Sequence, residues 1–380
     1  MEGPRAARAD ELAAVVELAN TVFGEHGSYD MGRWFPTLFC RENLGHLRVF
    51  VDDARPVSLA GFTLDRIVTP GVSFTAACIG SVCTLKSHQG RGLGTRLMED
   101  CVAQAREEGG DALLISGGRG LYRRMGCISA GGYFTVAIPR GVAPRTFPSL
   151  SGSEVREWKE EDLPYLAALQ KGEPIRFERT PDRFRALLMS GWLADHPGRT
   201  WVVETGSGIA AYLSIQDAVD APGGRVISVQ EIGGSRLAIL AAVPRLLERY
   251  DAARVDIRCL DADLEMKTLA AQLGLDTMPS GFDGTVRVID PAAAGSILTR
   301  LARCILPSRE AAALSFAADA TGLAIRLAGE EHRVQGFEDL TALLFGSSER
   351  PAPPPVYGPI RDLLGKILPI PLVNYGLNYI

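Results

Sequence analysis

The stretch that decides the fold is IGSVCTLKSHQGRGLGTRL, residues 79–97. It begins as an apolar run typical of a buried strand and ends as the first turns of an amphipathic helix. Between the two lies the pattern Gln89-x-x-Gly92-x-Gly94. A glycine-rich turn between a strand and a helix leaves the first N–H groups of the helix unpaired, and with the helix dipole these groups form a site for a diphosphate. The basic residue inside the turn, Arg91, favours a phosphate contact.

Two other nucleotide motifs fit this turn poorly. A dinucleotide-binding fold would place its glycines after the first strand and an acidic residue about 20 residues further on. Here at least two strands precede the glycines, and the next strand ends in Ser116-Gly117-Gly118. A P-loop would need a GK[ST] sequence after the glycines, and this is absent. An ordinary tight turn stays open as an alternative on the glycine pattern alone.

The residues around this turn predict a mixed α/β unit with the element order αβββαβαβ. The first helix shows an apolar periodicity over residues 10–23 with Asp10 as its N-cap, and it is followed by strand-like segments. The remaining predicted elements are strands at 47–51, 57–64 and 73–85, a helix at 92–109, a strand at 112–115, a helix at 120–124 and a strand at 133–138. A segment rich in Pro, Ser and Gly closes the unit near residue 150.

The second part of the chain repeats the end of this pattern. A helix at 236–250, a strand at 255–260 and a helix at 264–273 follow one another as in the first unit. When Gly126 is aligned with Gly274, Tyr122 falls on Ala270. The second copy has QEIGGSRLAI where the first has its spaced glycines, so we interpret residues 151–282 as a degenerate copy.

The third part, residues 283–380, predicts a smaller α+β domain. A strand at 285–289 precedes Pro291, which fits a first helical turn. A strand-like segment at 313–328 and a helix at 337–345 come next, and a proline-rich hinge leads to a short helix. The chain then ends in the apolar sequence PIPLVNYGLNYI, which predicts a docked tail because chain ends are usually polar. We therefore expect three domains, 1–150, 151–282 and 283–380.

Composition narrows the class of protein. The 380 residues are 46% hydrophobic with a net charge of −5, which argues against a partner that is a nucleic acid or an anionic membrane. There is neither a signal-peptide pattern at the N-terminus nor an apolar run long enough for a membrane span, so we expect a cytoplasmic protein. The seven cysteines are odd in number and form no CxxC pair, and they predict core residues rather than disulfides or a metal site.

The strand, the Gln89–Gly94 turn, the helix and the later LYRRMG sequence together resemble the GNAT acetyltransferase superfamily. The stretch ISGGRGLYRRMG, the second copy without the motif and the small third domain narrow the resemblance to the enhanced-intracellular-survival acetyltransferases. Those proteins have two GNAT-like domains and a sterol-carrier-like domain, so the resemblance implies a mixed α/β fold, acetyl-CoA as co-substrate and a homo-oligomer. The turn in this chain, HQGRGLG, has less arginine than is common in the family.

The resemblance also implies roles for individual residues. Tyr122 matches the frequent active-site tyrosine of the superfamily. The turn matches the pyrophosphate loop, and the N–H groups of the preceding strand would hold the pantetheine and face the thioester oxygen. The expected cofactor residues are Val82, Cys83, Thr84, Gln89, Gly90, Arg91, Gly92, Leu93, Gly94, Thr95 and Ser116.

Acetyl transfer to an amine makes three chemical demands. The amine must lose its proton, which costs roughly 4–5 kcal/mol at pH 7 for a lysine-like pKa of about 10.4. The thioester oxygen must be stabilised as charge develops on it, and the departing thiolate needs a proton. The phenol of Tyr122 (ordinary pKa about 10) is close enough in acidity to a thiol (about 8.5) to supply that proton.

Structural alternatives stand beside these assignments. Tyr122 also fits a packing aromatic, Cys83 fits a small core residue better than a nucleophile, and His88 fits a solvated turn better than a base. In YDMGRWF, Asp30 would attract a cationic amine, and Trp34 and Phe35 would wall the acceptor pocket; a purely structural role is nearly as good an interpretation.

The last residue, Ile380, receives its expected role from the resemblance. In the family, the terminal carboxylate enters the active site of the first domain and assists deprotonation of the amine. An α-carboxylate (pKa about 3.3–3.7) is ionised at neutral pH and would both attract an ammonium and relay its proton. The alternatives are a tail that only completes the third domain, and a base at His88, Glu25 or His26.

We therefore expect an acetyl-CoA-dependent N-acetyltransferase that acts on a primary amine by direct attack. The resemblance implies an aminoglycoside, a polyamine or a lysine side chain as acceptor. Two rival functions remain, a non-catalytic acetyl-CoA-binding regulator and a lipid or sterol carrier led by the third domain. Tyr122 argues against the first rival because the degenerate copy has Ala270 in its place.

Overall fold

The structure is a computed structural model that describes residues 1–24, 29–142, 152–347, 349 and 358–380. The chain divides into two compact units. Unit 1 comprises Met1–Gly131, Asp283–Ile370 and Ile380, and unit 2 comprises Gly132–Phe282 and Pro371–Tyr379.

The elements follow one another in mixed order along the described chain. Strands and helices up to residue 131 are β1 (Glu2–Ala6), α1 (Leu12–Phe23), α2 (Met31–Trp34), β2 (Leu47–Asp52), β3 (Arg55–Thr69), β4 (Val72–Thr84), α3 (Leu93–Glu107), β5 (Ala112–Ile115) and α4 (Gly120–Arg124). Those of unit 2 are β6 (Tyr133–Pro139), β7 (Glu154–Glu157), α5 (Leu163–Gly172), β8 (Arg176–Phe177), α6 (Pro181–Met189), β9 (Trp192–Leu193), β10 (His196–Thr205), β11 (Gly208–Ala221), β12 (Gly224–Gly234), α7 (Arg236–Arg249), β13 (Arg254–Leu260), α8 (Leu264–Gln272) and β14 (Asp276–Ser280). The rest of unit 1 contains β15 (Thr285–Val288), α9 (Pro291–Ile305), α10 (Ser308–Ala313), β16 (Leu314–Asp319), β17 (Gly322–Leu327), β18 (Glu330–Gln335), α11 (Phe337–Phe345) and α12 (Gly358–Leu364).

The large sheet of unit 1 has the order β1-β2-β3-β4-β5-β15. Strands β1 to β4 pair antiparallel, β4 and β5 pair parallel, and α3 connects these two because parallel neighbours need a crossover. The apolar stripe of α3 packs on the sheet through the buried Leu97, Met98 and Cys101. A three-stranded sheet, β16-β17-β18, completes the unit with α9 and α11.

The sheet of unit 2 repeats this plan. Its order is β14-β6-β13-β12-β11-β10-β7, with β12 and β13 parallel and α7 between them. The turn after the next helix is also repeated: the N–H of Cys127 donates to Tyr122 O at 3.1 Å, and the N–H of Leu275 donates to Ala270 O at 2.9 Å. The predicted alignment of Tyr122 with Ala270 is therefore the alignment of the structure.

The structure differs from the expected boundaries at two strands. Strand β6, placed by the sequence analysis in the first domain, pairs antiparallel with β13 in unit 2. Strand β15, placed at the start of the third domain, pairs antiparallel with β5 in unit 1. Each sheet thus contains a strand that the sequence analysis placed in a different domain. The boundary near residue 150 lies outside the described residues, and the division into three domains stays a prediction.

The beginning of the chain also differs from the expectation. Residues 2–6 form β1, an edge strand that the sequence analysis did not predict. Helix α1 begins at Leu12 with Glu11 rather than Asp10 at its N-cap position. The carboxylate of Glu11 is held by Arg5 at 2.6 and 2.8 Å and by the N–H of Arg8, so the ion pair fixes the start of the helix.

Candidate active site

Strand β4 contains a β-bulge next to Val82–Thr84, the part of the strand that is predicted to bind the cofactor. Leu59 pairs with Cys83 and Gly61 with Gly80, so β4 has one more residue than β3 between these pairs. Ser81 in the bulge adopts a φ of +52°. Bulges are common beside active sites because they redirect a strand locally.

The pairing of β4 with β5 ends where this bulge begins. The last pair of that ladder in the described chain is Ile79 with Ile115, and Val82, Cys83 and Thr84 continue along β3. The Arg119 guanidinium reaches this edge and donates to Val82 O at 3.3 Å. The opening between β4 and β5 is hereafter called the β4/β5 opening.

The predicted diphosphate turn contains two glycines in a left-handed conformation. Gly90 and Gly92 adopt φ values of +78° and +72°, which are left-handed, and a Cβ at either position would meet no atom within 4 Å. These two glycines are therefore required by backbone conformation rather than by crowding. Gly92 is the N-cap of α3 and provides no side-chain cap, while Leu93 is buried and anchors the first turn.

A recess of about 210 Å³ lies at this turn. It is lined by seven residues predicted for the cofactor, by His88 and by two residues from the α4 region. The lining residues are Thr84, His88, Gln89, Gly90, Gly92, Leu93, Gly94, Thr95, Leu121 and Arg124. Gln89 is fixed by a hydrogen bond from Nε2 to Thr84 O at 3.1 Å, and Arg91 donates to Ser87 O at 3.5 Å. Arg124, two residues after Tyr122, was not among the site residues predicted from the sequence.

Tyr122 lies in α4 and is 4% exposed. Its ring packs in the core cluster that contains Val82 and Leu97. Burial raises the pKa of the Tyr122 phenol above its ordinary value, although the nearby Arg119 guanidinium acts in the opposite direction. The phenol is therefore protonated at neutral pH. Both a packing role and a proton-donor role are compatible with this position.

Ile380 lies in unit 1 at the β4/β5 opening and is 4% exposed. Ser116, predicted as a cofactor residue, donates from Oγ to Ile380 O at 2.5 Å. A Cβ on Gly80 would collide with the carbonyl group of Ile380, so this approach requires glycine at position 80. The sequence analysis missed Gly80, and it assigned Ser116 to the cofactor without seeing its contact with Ile380.

The surroundings of two other candidate reactive groups, the Cys83 thiol and the His88 imidazole, are defined by the structure. The Cys83 thiol is buried, and burial raises its pKa to about 12, which supports a core residue rather than a nucleophile. His88 Nε2 lies 3.1 Å from a carboxylate oxygen of Asp52, and its Nδ1 lies 2.9 Å from Ser87 Oγ. The other alternative bases, Glu25 and His26, lie outside the described residues.

The predicted acceptor residues form a small cluster near α1. Asp30 caps α2 by accepting the N–H of Arg33 at 3.1 Å. Trp34 packs edge-on against Tyr29 with ring centroids 4.7 Å apart, and Phe35 is buried. The structural alternative thus accounts for the Asp30 carboxylate as a helix cap, and an acceptor role stays a prediction for all three residues.

In unit 2, the position corresponding to the diphosphate turn is filled by a carboxylate of the protein. Glu173 accepts the N–H of Gly234 at 2.8 Å and pairs with Arg236, the first residue of α7, at 2.6 Å. Asp263 holds the same guanidinium at 2.8 Å. The N–H group of Gly234 and the guanidinium of Arg236 are thus both satisfied by side chains of the protein.

The described residues also bear on two other classes of protein, metal-binding proteins and membrane-spanning proteins. No group of three or more His, Cys, Asp or Glu residues there could hold a metal ion. No helix in the same ranges is long and apolar enough to cross a membrane.

Comparison with known proteins identifies the fold. Residues 4–129 match the acetyltransferase (GNAT) domain family. A GCN5-related N-acetyltransferase from Kribbella flavida is 16% identical with a TM-score of 0.63, over 97% of both chains. Eis1 from Mycobacterium abscessus is 15% identical with a TM-score of 0.61, over 98% of both chains.

A third structure agrees with these two. A probable N-acyltransferase from Enterococcus faecalis V583 is 13% identical with a TM-score of 0.62, over 97% of this chain and 98% of the other. No curated protein sequence matches the chain. The chain therefore has a mixed α/β, GNAT-like fold over nearly its whole length, as the sequence analysis predicted.

Proposed function

We propose that this chain is an acetyl-CoA-dependent N-acetyltransferase whose catalytic centre is the β4/β5 opening of unit 1. The match of residues 4–129 to the acetyltransferase (GNAT) domain supports the reaction class. The observation that carries the proposal is the position of Ile380, which is held by Ser116 and against Gly80 at this opening. The terminal carboxylate of Ile380, which can accept a proton, would thus lie against β4, the strand that leads to the diphosphate turn.

The residues of the turn would hold the diphosphate of acetyl-CoA. Backbone N–H groups at the start of α3, with Arg91 and Arg124 nearby, supply positive potential to the recess. The edge of β4 at Val82–Thr84 would hold the pantetheine arm, and its N–H groups would face the thioester oxygen.

The Ile380 carboxylate would take the proton of the amine. An ionised carboxylate attracts an ammonium group, and a water molecule between the two relays the proton. The neutral amine then attacks the acetyl carbon, a C–N bond forms and the C–S bond breaks. Tyr122 donates its phenolic proton to the departing thiolate, and the proton that the acylated nitrogen loses restores the phenol. The raised pKa of Tyr122 keeps that proton in place at neutral pH.

The acceptor class is a primary amine, with an aminoglycoside, a polyamine or a lysine side chain as candidates. Asp30, Trp34 and Phe35 are proposed to recognise it. A homo-oligomer, a cytoplasmic location and a sterol-carrier-like character of residues 283–380 belong to the same proposal. Light scattering on the purified chain tests the oligomeric state.

The decisive experiment is an acceptor screen that follows free thiol released from acetyl-CoA. We expect release that depends on the amine and on its concentration, above a control without amine. Mass spectrometry of the acceptor should show one added acetyl group. Tight binding of acetyl-CoA without thiol release for any amine would instead favour the non-catalytic regulator.

A further inference from the structure

Unit 2 contains a largely buried ion pair that the proposed chemistry does not use. Arg179 and Glu231 are joined by two hydrogen bonds of 2.6 and 2.8 Å, and their side chains are 3% and 14% exposed. Burial alone would raise the pKa of Glu231, but Arg179 and the hydrogen bonds outweigh it and lower that pKa below its ordinary value. Glu231 is thus ionised at neutral pH. Since a buried ion pair is a weak source of stability, its presence suggests a specific structural task.

The ion pair holds the segment Pro371–Tyr379, here called the tail. The N–H of Leu377 donates to Glu231 Oε2 at 2.9 Å, and Arg179 Nε donates to Asn378 Oδ1 at 2.6 Å. Asn374 Nδ2 donates to Gln230 O at 2.6 Å. Three contacts therefore fix the tail from Asn374 to Asn378 through polar groups of β12 and Arg179.

The shape of this site also fits the tail. Gly376 adopts a φ of +49°, and a Cβ there would collide with the Glu231 carboxylate. Tyr375 stacks on Phe282 with ring centroids 4.9 Å apart. The Tyr133 hydroxyl donates to Val373 O at 3.2 Å. Aromatic, backbone and charged contacts together make a built peptide site rather than a chance contact of a chain end.

The strand that carries this site is the counterpart of the proposed pantetheine strand. Strand β12 in unit 2 and β4 in unit 1 are both followed by a helix and by a parallel strand. Gln230 and Glu231 lie near the end of β12, as Val82–Thr84 lie at the end of β4. The degenerate copy thus binds a peptide where the first copy would bind the arm of its cofactor.

We propose that unit 2 is a receptor for the tail and that Arg179 and Glu231 are positioning residues that set Ile380 for catalysis. This inference rests on the proposed function. One residue separates Asn378 from Ile380, so a fixed Asn378 confines Ile380 to within about 7 Å, the reach of two residues. The hydrogen bond from Ser116 Oγ then needs to fix only the orientation of the Ile380 carboxylate.

A matched pair of variants of the full chain tests the role of the clamp. Gly376→Ala places a Cβ against Glu231, whereas Gly274→Ala introduces alanine at a similar left-handed φ, +65°, where a Cβ meets no atom within 4 Å. We expect a carboxypeptidase to release Ile380 at least tenfold faster from Gly376→Ala than from the wild type. Intact-mass spectrometry measures this release. Turnover at saturating substrate should fall about 10- to 100-fold because small misplacements of a reacting group are costly.

The affinity for acetyl-CoA should change little in either variant, and both should lose a similar small amount of melting temperature because alanine is strained at a left-handed φ. Release of Ile380 and turnover should stay at the wild-type level in Gly274→Ala. Asn374→Ala, which removes a single tail contact, should shift release and turnover in the same direction by a smaller factor. Unchanged release of Ile380 from both tail variants would overturn the clamp, and faster release with unchanged turnover would overturn the positioning role. A wild-type chain without any turnover would instead refute the proposed function itself.

Discussion

The diphosphate turn gives the sharpest test of the cofactor site because a charge can be added there with little damage to the fold. Gly92 is exposed, has a left-handed φ of +72° and is the N-cap of α3. Asp and Asn both tolerate this conformation better than other residues, and both are good N-caps. Gly92→Asp and Gly92→Asn therefore differ from each other by one charge at nearly constant shape.

The size of the effect follows from Coulomb's law. Two unit charges about 4 Å apart repel by about 4 kcal/mol at an effective dielectric constant of about 20. Because Gly92 is exposed, solvent and salt screen this repulsion, and we take about 2 kcal/mol for the interaction with the bound diphosphate. This corresponds to a rise in Kd of about 30-fold for Gly92→Asp relative to Gly92→Asn.

Isothermal titration calorimetry of both variants with acetyl-CoA measures this difference. Circular dichroism and the melting temperature check that both chains are folded. The difference in Kd should shrink as salt is added, since the repulsion is electrostatic. Equal Kd values for the two folded variants at low salt would place the diphosphate elsewhere and refute the assignment of the turn.

Four further predictions concern the proposed function. Tyr122→Phe should lower kcat by about 10²–10⁴ with nearly unchanged acetyl-CoA affinity, whereas the exposed Tyr165→Phe should be neutral; equal rates would make Tyr122 a packing residue. Because burial raises the pKa of Tyr122, the alkaline loss of wild-type activity that reports this group should lie above pH ~10. Deletion of Tyr379 and Ile380 should cut turnover at least tenfold while Tm stays constant, and full activity would exclude Ile380. Calorimetry should find one acetyl-CoA per chain, and two would contradict the closed turn at Glu173.

The local elements were well predicted from the sequence because their signals are local. The periodicity of residues 92–109 predicted α3, and the turn glycines marked where it begins. The repeat was visible in the same way, since Gly126 and Gly274 end helices that share one turn geometry. Such features depend on residues a few positions apart, and a sequence displays them directly.

The sheet that each of β6 and β15 joins could not be predicted because strand pairing is not local. Periodicity over residues 133–138 and 285–289 shows that two strands exist, but it does not show which sheet each one joins. The short strand β1 was missed for a related reason: its sequence, Glu-Gly-Pro-Arg-Ala, has a weak strand propensity, and it owes its conformation to pairing with β2.

The candidate site was predictable where a motif carries it and not where tertiary contacts do. The pattern Gln89–Gly94 predicted the turn, and the apolar sequence of the chain end predicted that the tail packs against the protein. No sequence pattern linked Ser116 and Gly80 to Ile380, because these residues meet only after the sheet and the third part of the chain have folded. Arg124 was missed because a basic residue two positions after a tyrosine has no signature of its own.

The two units show that one plan of strands and helices can accommodate two different turns. In unit 1, the glycines of the turn leave the start of α3 open to a ligand, with a recess beside it. In unit 2, Glu173 and Arg236 close the equivalent position with charges of the protein itself. Glu231 on the preceding strand then binds the tail. An open turn and a turn closed by charges of the protein therefore occur within one topology, because both lie at the same strand end and helix start.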